Sequence, residues 1–93
     1  MLRCGNVTLD PRLARVVKDG VPVRLTSHEF RVLSYLMHHS DRVVSQGELT
    51  EHIYAQDSDR DSNTVEVFIA RLRRKLGASL IETVRGLGYR IGA

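Results

Sequence analysis

Ser62-Asn63-Thr64-Val65-Glu66-Val67-Phe68-Ile69-Ala70-Arg71-Leu72-Arg73-Arg74-Lys75-Leu76-Gly77 decides how this chain of 93 residues is read. Turned through about 100° per residue, Val65, Ile69, Leu72 and Leu76 gather in one narrow stripe, the mark of a helix docked on a core. Asn63, Val67, Ala70, Arg71 and Arg74 lie opposite, with Arg73 and Lys75 on the flanks. Gly77 stands where a left-handed residue ends a helix. A helix that buries one side and turns arginines out from the other fits the DNA major groove, which admits an element of that width. Beyond it, Leu80 to Arg85 and Tyr89 to Ile91 read as a terminal hairpin turning through Arg85-Gly86-Leu87-Gly88-Tyr89, with Arg85 at a projecting tip. Helix and hairpin together suggest a recognition element and a wing.

Upstream, residues 2 to 25 alternate short β-like runs with turn signals. Gly5-Asn6 parts Leu2-Arg3-Cys4 from Val7-Thr8-Leu9, Asp10-Pro11 breaks before Ala14-Arg15-Val16-Val17, and Asp19-Gly20 leads into Val21-Pro22-Val23-Arg24-Leu25. Asp-Gly between β-branched runs is a strong hairpin signal, and Pro22 confines the last strand to an edge. The pattern predicts a small antiparallel sheet of four strands. Thr26-Ser27-His28-Glu29 then has the form of a capping box, and Phe30, Leu33, Leu36 and Met37 follow at helical spacing to about His39. Val43-Val44 is a brief extended link. Ser45-Gln46-Gly47-Glu48 reads as a second box opening a shorter helix with Leu49 and Ile53 inward, and residues 54–61 form an acidic loop.

One domain is the natural reading of this length: residues 1–25 a sheet, 26–77 a three-helix core and 78–93 a wing hairpin. With 42% hydrophobic and 27% charged residues the chain has the composition of a globular protein. No apolar run approaches the roughly 20 residues of a membrane span, and Met1-Leu2-Arg3-Cys4-Gly5 lacks the apolar segment of a secretory signal. A single cysteine, Cys4, cannot make an internal disulfide, so a reducing cytoplasm is expected. The net charge is only +3, but it is segregated. Between Glu48 and Asp61 five acids (Glu48, Glu51, Asp57, Asp59, Asp61) stand against Arg60, whereas between Arg71 and Arg90 six bases (Arg71, Arg73, Arg74, Lys75, Arg85, Arg90) stand against Glu82. A basic third beside an acidic middle suits a polyanion-binding surface with a separate partner surface, and equally a solvated charged face.

Over essentially its whole length the chain resembles the winged-helix effector domain of OmpR/PhoB-type response regulators. The resemblance is carried by Leu25-Thr26-Ser27-His28-Glu29-Phe30, by Val43-Val44-Ser45-Gln46, by the helix from Asn63 to Leu76, and by Ile81-Glu82-Thr83-Val84-Arg85-Gly86-Leu87-Gly88-Tyr89-Arg90. It implies an α+β winged helix-turn-helix: an N-terminal four-stranded antiparallel sheet, three helices and a C-terminal β-hairpin wing. The function it implies is sequence-specific binding of double-stranded DNA in a two-component system that controls transcription. It further implies a receiver domain and a sensor kinase outside this sequence, a monomeric isolated domain, and two copies bound head-to-tail on a direct repeat. RNA polymerase is the implied partner of the loop 54–61, through Tyr54, Asp57, Asp59 and Asp61; a merely solvated loop explains the same acids.

Residue by residue, Arg71 lies far from the apolar stripe, and its fork can take guanine O6 and N7 together. Val67, an outward β-branched residue, could meet a thymine methyl. Arg74 is a candidate for a base edge as well as a phosphate. Thr64, Arg73 and Lys75 are placed for phosphates, which position a protein without reading sequence. Asn63 is either a contact or the start of a capping box with Glu66. By resemblance Phe68 stands where relatives often place a polar or basic phosphate contact, although it could pack on the first helix; Ala70 departs from the same pattern. By resemblance too, Thr83 reaches a phosphate and Arg85 enters the adjacent minor groove. Tyr89 and Ile91 alternate with Arg90 and are expected to pack inward.

Three other signals fail. Gly86-Leu87-Gly88 lacks the next glycine in register and a following helix. Asp57-Ser58-Asp59-Arg60-Asp61 starts like a calcium loop but has Ser62 and Phe68 at the sixth and twelfth positions. His28, His38, His39 and His52 show no metal spacing, and no nucleophile motif is present. No enzyme, metal or cofactor is therefore expected. The rival is a winged helix used as a protein-interaction module, without sequence-specific DNA binding.

Overall fold

Four short strands, each separated from the next by a turn signal, pair in sequence order: β1 (Leu2–Cys4), β2 (Val7–Asp10), β3 (Arg15–Lys18) and β4 (Val21–Val23) form an antiparallel sheet of order β1-β2-β3-β4. The computed structural model describes residues 2–54 and 65–92. Asp19 and Gly20 both have positive φ, +52° and +80°, as the two-residue hairpin between β3 and β4 demands. The Asn6 side chain donates to Asp19 Oδ1 at 2.7 Å, tying that turn to the one before β2. Pro22 pairs opposite Val17 in β4, an edge strand of three residues, where its missing N–H is tolerated. Cys4, Val7, Leu9 and Val16 turn their side chains to the interior.

The helices follow as α1 (Ser27–His38), α2 (Gln46–Tyr54) and α3 (Val65–Leu76). The capping box at α1 is complete: Thr26 Oγ1 accepts from the Glu29 N–H, and Glu29 Oε1 accepts from the Thr26 N–H at 3.0 Å. At α2 the box is only half made. Ser45 Oγ accepts from the Glu48 N–H at 3.1 Å, but the Glu48 carboxylate turns away to Arg42, at 2.5 and 3.0 Å, and to the Tyr35 hydroxyl. The Arg42 guanidinium and the Tyr35 hydroxyl hold that carboxyl down at about 2. A charged partner wins over a neutral backbone N–H as the stronger hydrogen bond.

The core joins Val32, Leu33, Leu36 and Met37 of α1, Leu49 and Ile53 of α2, and Val65, Phe68, Ile69, Leu72 and Leu76 of α3 with the inner face of the sheet. α3 ends on Gly77, φ +110°, whose N–H donates to the Arg73 carbonyl at 2.9 Å. The last element is the hairpin of β5 (Ile81–Val84) and β6 (Gly88–Ile91). Leu80, Ile81, Tyr89 and Ile91 bury its base, as the alternation of Tyr89 and Ile91 with Arg90 predicts. Val44, in the link between α1 and α2, adds an antiparallel bridge to Tyr89 with two hydrogen bonds of 2.8 Å. At the far end Cys4 Sγ donates to the Gly92 carbonyl at 2.9 Å, so the first strand lies against the end of the last. The α+β winged-helix architecture read from the sequence is the fold observed.

Candidate nucleic-acid interface

The side of α3 turned away from the core carries Val67, Ala70, Arg71 and Arg74. Ala70 and Arg74 are exposed, while Val67 and Arg71 are half-buried. Arg71, Arg74 and Lys75 border a recess of about 310 Å³ that is closed at its back by Thr26 and Glu29, at the start of α1. Arg71 is thus nearer to α1 than its place on the helix implies.

Glu29 explains why. It is the one charged residue in the buried core of the described residues, with 1% of its surface exposed. Lys75 Nζ lies 2.7 Å from its Oε1 and donates as well to the Arg24 carbonyl at 3.1 Å. Burial alone would raise the Glu29 carboxyl; the hydrogen bonds from Lys75 and the Thr26 N–H, with the charges of Lys75 and Arg71, outweigh it and hold the group below its ordinary value. The Lys75 ammonium, on a partly exposed side chain, is therefore held by a buried carboxylate of the domain itself. Its expected place at a phosphate competes with this pairing, since withdrawing it would leave a buried carboxylate unpaired.

Two more expected phosphate contacts have partners within the domain. Phe68 is buried, 3% exposed, and stacks on His28 with ring centroids 5.3 Å apart and planes 10° from parallel, so it packs on α1 and presents nothing to a ligand. Arg73 turns toward the hairpin: Nε and Nη2 donate to the Ile81 carbonyl at 3.2 and 2.9 Å, and Nη2 to Thr83 Oγ1 at 2.6 Å. Its guanidinium is occupied within the domain, and so is one lone pair of the Thr83 hydroxyl. Both Arg73 and Lys75 sit at the border of the apolar stripe, where long side chains run along the protein surface to reach polar groups. That border position was the only signal the sequence offered; their partners are 8, 10, 46 and 51 positions away.

The hairpin tip holds Arg85, exposed, followed by Gly86 at φ +75° and by Leu87, 64% exposed. Just past the turn Gly88, φ +144°, passes so close to the α1–α2 link that a Cβ there would stand 2.1 Å from the Val44 carbonyl oxygen. A groove of about 400 Å³ runs between Gln46, at the start of α2, and the wing from Thr83 to Tyr89. Val67, Arg71 and Arg74 thus lie on the outward side of α3, with Arg71 and Arg74 at one recess, and Arg85 lies at the wing groove. Asn63, Thr64, Asp57, Asp59 and Asp61 lie outside the described residues, as does the side chain of Tyr54. Among the described residues no three His, Cys, Asp or Glu side chains come together as metal ligands would, and no helix is long and apolar enough to cross a membrane.

Residues 20–91 match the sequence profile of the family described as transcriptional regulatory protein, C terminal. The chain is 42% identical over 92 residues to the two-component response regulator PhoP of Pseudomonas aeruginosa, covering 95% of this chain and 41% of that protein. It is 43% identical over 91 residues to the transcriptional regulatory protein QseB of Escherichia coli O157:H7, covering 98% and 42%. Among solved structures, the DNA binding domain of CpxR from E. coli superposes with a TM-score of 0.83 at 29% identity, covering 99% of this chain and 95% of that one. The Klebsiella pneumoniae RstA DNA-binding domain, solved in complex with the RstA box, gives 0.83 at 29% identity, covering 98% and 95%. The chain spans about two fifths of the length of the curated relatives it matches.

Proposed function

Because this chain belongs to the OmpR/PhoB-type family of C-terminal domains of transcriptional regulatory proteins, we propose that it binds double-stranded DNA in a sequence-specific way, α3 lying in the major groove and Arg85 in the minor groove beside it. The family is one of transcription regulators and not of enzymes. The observation that carries the reading is the division of α3. Its apolar side is fully used by the core, its border cations are tied down internally, and Val67, Ala70, Arg71 and Arg74 are left facing outward next to a fixed arginine-tipped hairpin.

In this reading Arg71 takes a guanine through its fork, Val67 meets a thymine methyl, and Arg74 reaches a base edge or a backbone oxygen. Thr83 keeps hydroxyl capacity for a phosphate beside its bond to Arg73, and Asn63 and Thr64, which precede α3 in sequence, serve the same use. A single module of this kind buries roughly 600–1,000 Å², so two copies on a direct repeat, arranged head-to-tail, supply the affinity one lacks. The receiver domain and sensor kinase of a two-component system, a cytoplasmic setting, and RNA polymerase at the acidic segment 54–61 complete the proposal. The known RstA domain bound to its box supports the DNA partner by likeness.

The test is a titration of Arg71→Ala against a duplex selected from random sequence and against its scramble. The expected loss is about 1–3 kcal/mol on the selected site and much less on the scramble. Equal losses on both would reduce Arg71 to a backbone contact. Failure of the unaltered domain to hold any duplex at low salt would favour the protein-interaction module instead.

A further inference from the structure

A two-stranded hairpin is marginal by itself, so its direction is decided by what grips its two edges. On the β6 edge the grip is Val44, which exchanges both hydrogen bonds with Tyr89. Tyr89 therefore points its peptide groups away from β5, and its cross-strand partner Thr83 turns its own toward the opposite edge. Ile81, two residues earlier, shares that orientation. Among the described residues its carbonyl meets no strand there; it meets the Arg73 guanidinium, which covers it with two N–H groups and reaches on to the Thr83 hydroxyl.

We propose that Arg73 is a positioning residue that clamps the wing to α3 and thereby fixes the base-pair distance between what the helix reads and what Arg85 reaches. The clamp stands on this geometry alone; its consequence for DNA rests on the duplex-binding function proposed above. Arg85 lies four residues beyond Ile81, a lever of about 13 Å at strand rise. A tilt of about 15° at the base moves such a tip by about 3.4 Å, the rise of one base pair along the DNA axis. Only the planar fork can hold a carbonyl and a hydroxyl together in this way; a lysine keeps the charge and loses the grip.

Arg73→Lys is therefore the diagnostic variant. Two duplexes are compared by fluorescence anisotropy: the site selected by the unaltered domain, and the same site with one base pair inserted between the helix-read segment and the A·T step beneath the wing. The unaltered domain is expected to lose about tenfold on the insertion, the scale of one mismatched pair, and Arg73→Lys less than about threefold, with its preference for the helix-read bases intact. A plain phosphate contact predicts the reverse: Arg73→Lys keeps the full tenfold discrimination, and that result overturns the proposal. A DNA-free measurement runs beside it. Residual dipolar couplings of the β5 and β6 amides should share one alignment frame with α3 in the unaltered domain and depart from it in Arg73→Lys. An unchanged frame overturns the clamp whatever the duplexes show, whereas a changed frame in a domain that binds no duplex retires the DNA function and leaves the clamp standing.

Discussion

Two glycines of the wing separate two costs that are usually confounded. Gly86 has φ +75° with open space where a Cβ would go, while Gly88 has φ +144° with the Val44 carbonyl oxygen at 2.1 Å and Ser45 Cα at 2.8 Å from that position. Gly86→Ala should cost about 1–2 kcal/mol, the backbone penalty alone. Gly88→Ala adds a clash with backbone that cannot rotate aside, and should cost more than about 3 kcal/mol, with loss of the Val44–Tyr89 bridge. Urea denaturation of both variants checks the order; equal midpoints would mean the link yields to the added methyl. The turn through Gly86-Leu87-Gly88 was plain in the sequence. The close approach at Gly88 was not, because Val44 is 44 positions away and nothing local to Gly88 announces it.

Among the elements, α3 is seated against α1 by one ion pair. With Glu29 almost wholly buried and Lys75 partly exposed, the lysine stabilises a carboxylate whose alternative is desolvation without a partner. The folded-state carboxyl sits below its ordinary value, so the stabilisation is fully present above the ordinary glutamate range, near about 4.3, and disappears as the pH falls through the folded value. Lys75→Ala should lower stability by about 1–3 kcal/mol at pH 7, water reaching the freed carboxylate from the exposed side. The gap between the unaltered domain and Glu29→Gln should close as thermal melts are carried from pH 6 to below about 4. A gap that stays constant would show that the carboxylate charge contributes nothing. Here the sequence was half legible: the capping box named Glu29 and its neighbour Thr26, but a helical wheel gives the angle of Lys75 and not its partner. The same limit applies at α2, where the motif was right for Ser45 and wrong for the Glu48 side chain, which Arg42 and Tyr35 take.

At the scale of the whole molecule, the basic third divides into cations that hold the fold and cations that are free to act outward. Arg73 and Lys75 are of the first kind, and Arg74 and Arg85 are exposed. Salt titration distinguishes them. Arg74→Ala should flatten the dependence of log K on log salt by about 0.9 if it neutralises one phosphate, whereas Lys75→Ala should leave the slope as it was. An unchanged slope for Arg74 would remove it from the backbone contacts. Strand order, helix faces and the wing were all readable because hydrophobic period and turn chemistry are local. The sorting of the cations was not, because it depends on which distant carbonyls and carboxylates the closed fold brings within reach.

The hydrogen bond from Cys4 to Gly92 sets the end of β1 beside the end of β6. A short bridge from Gly92 to Leu2, two residues before Cys4, would therefore close the fold into a ring. Such a ring could be reopened at the exposed Asp19-Gly20 turn without cutting a helix, so the topology is open to circular permutation.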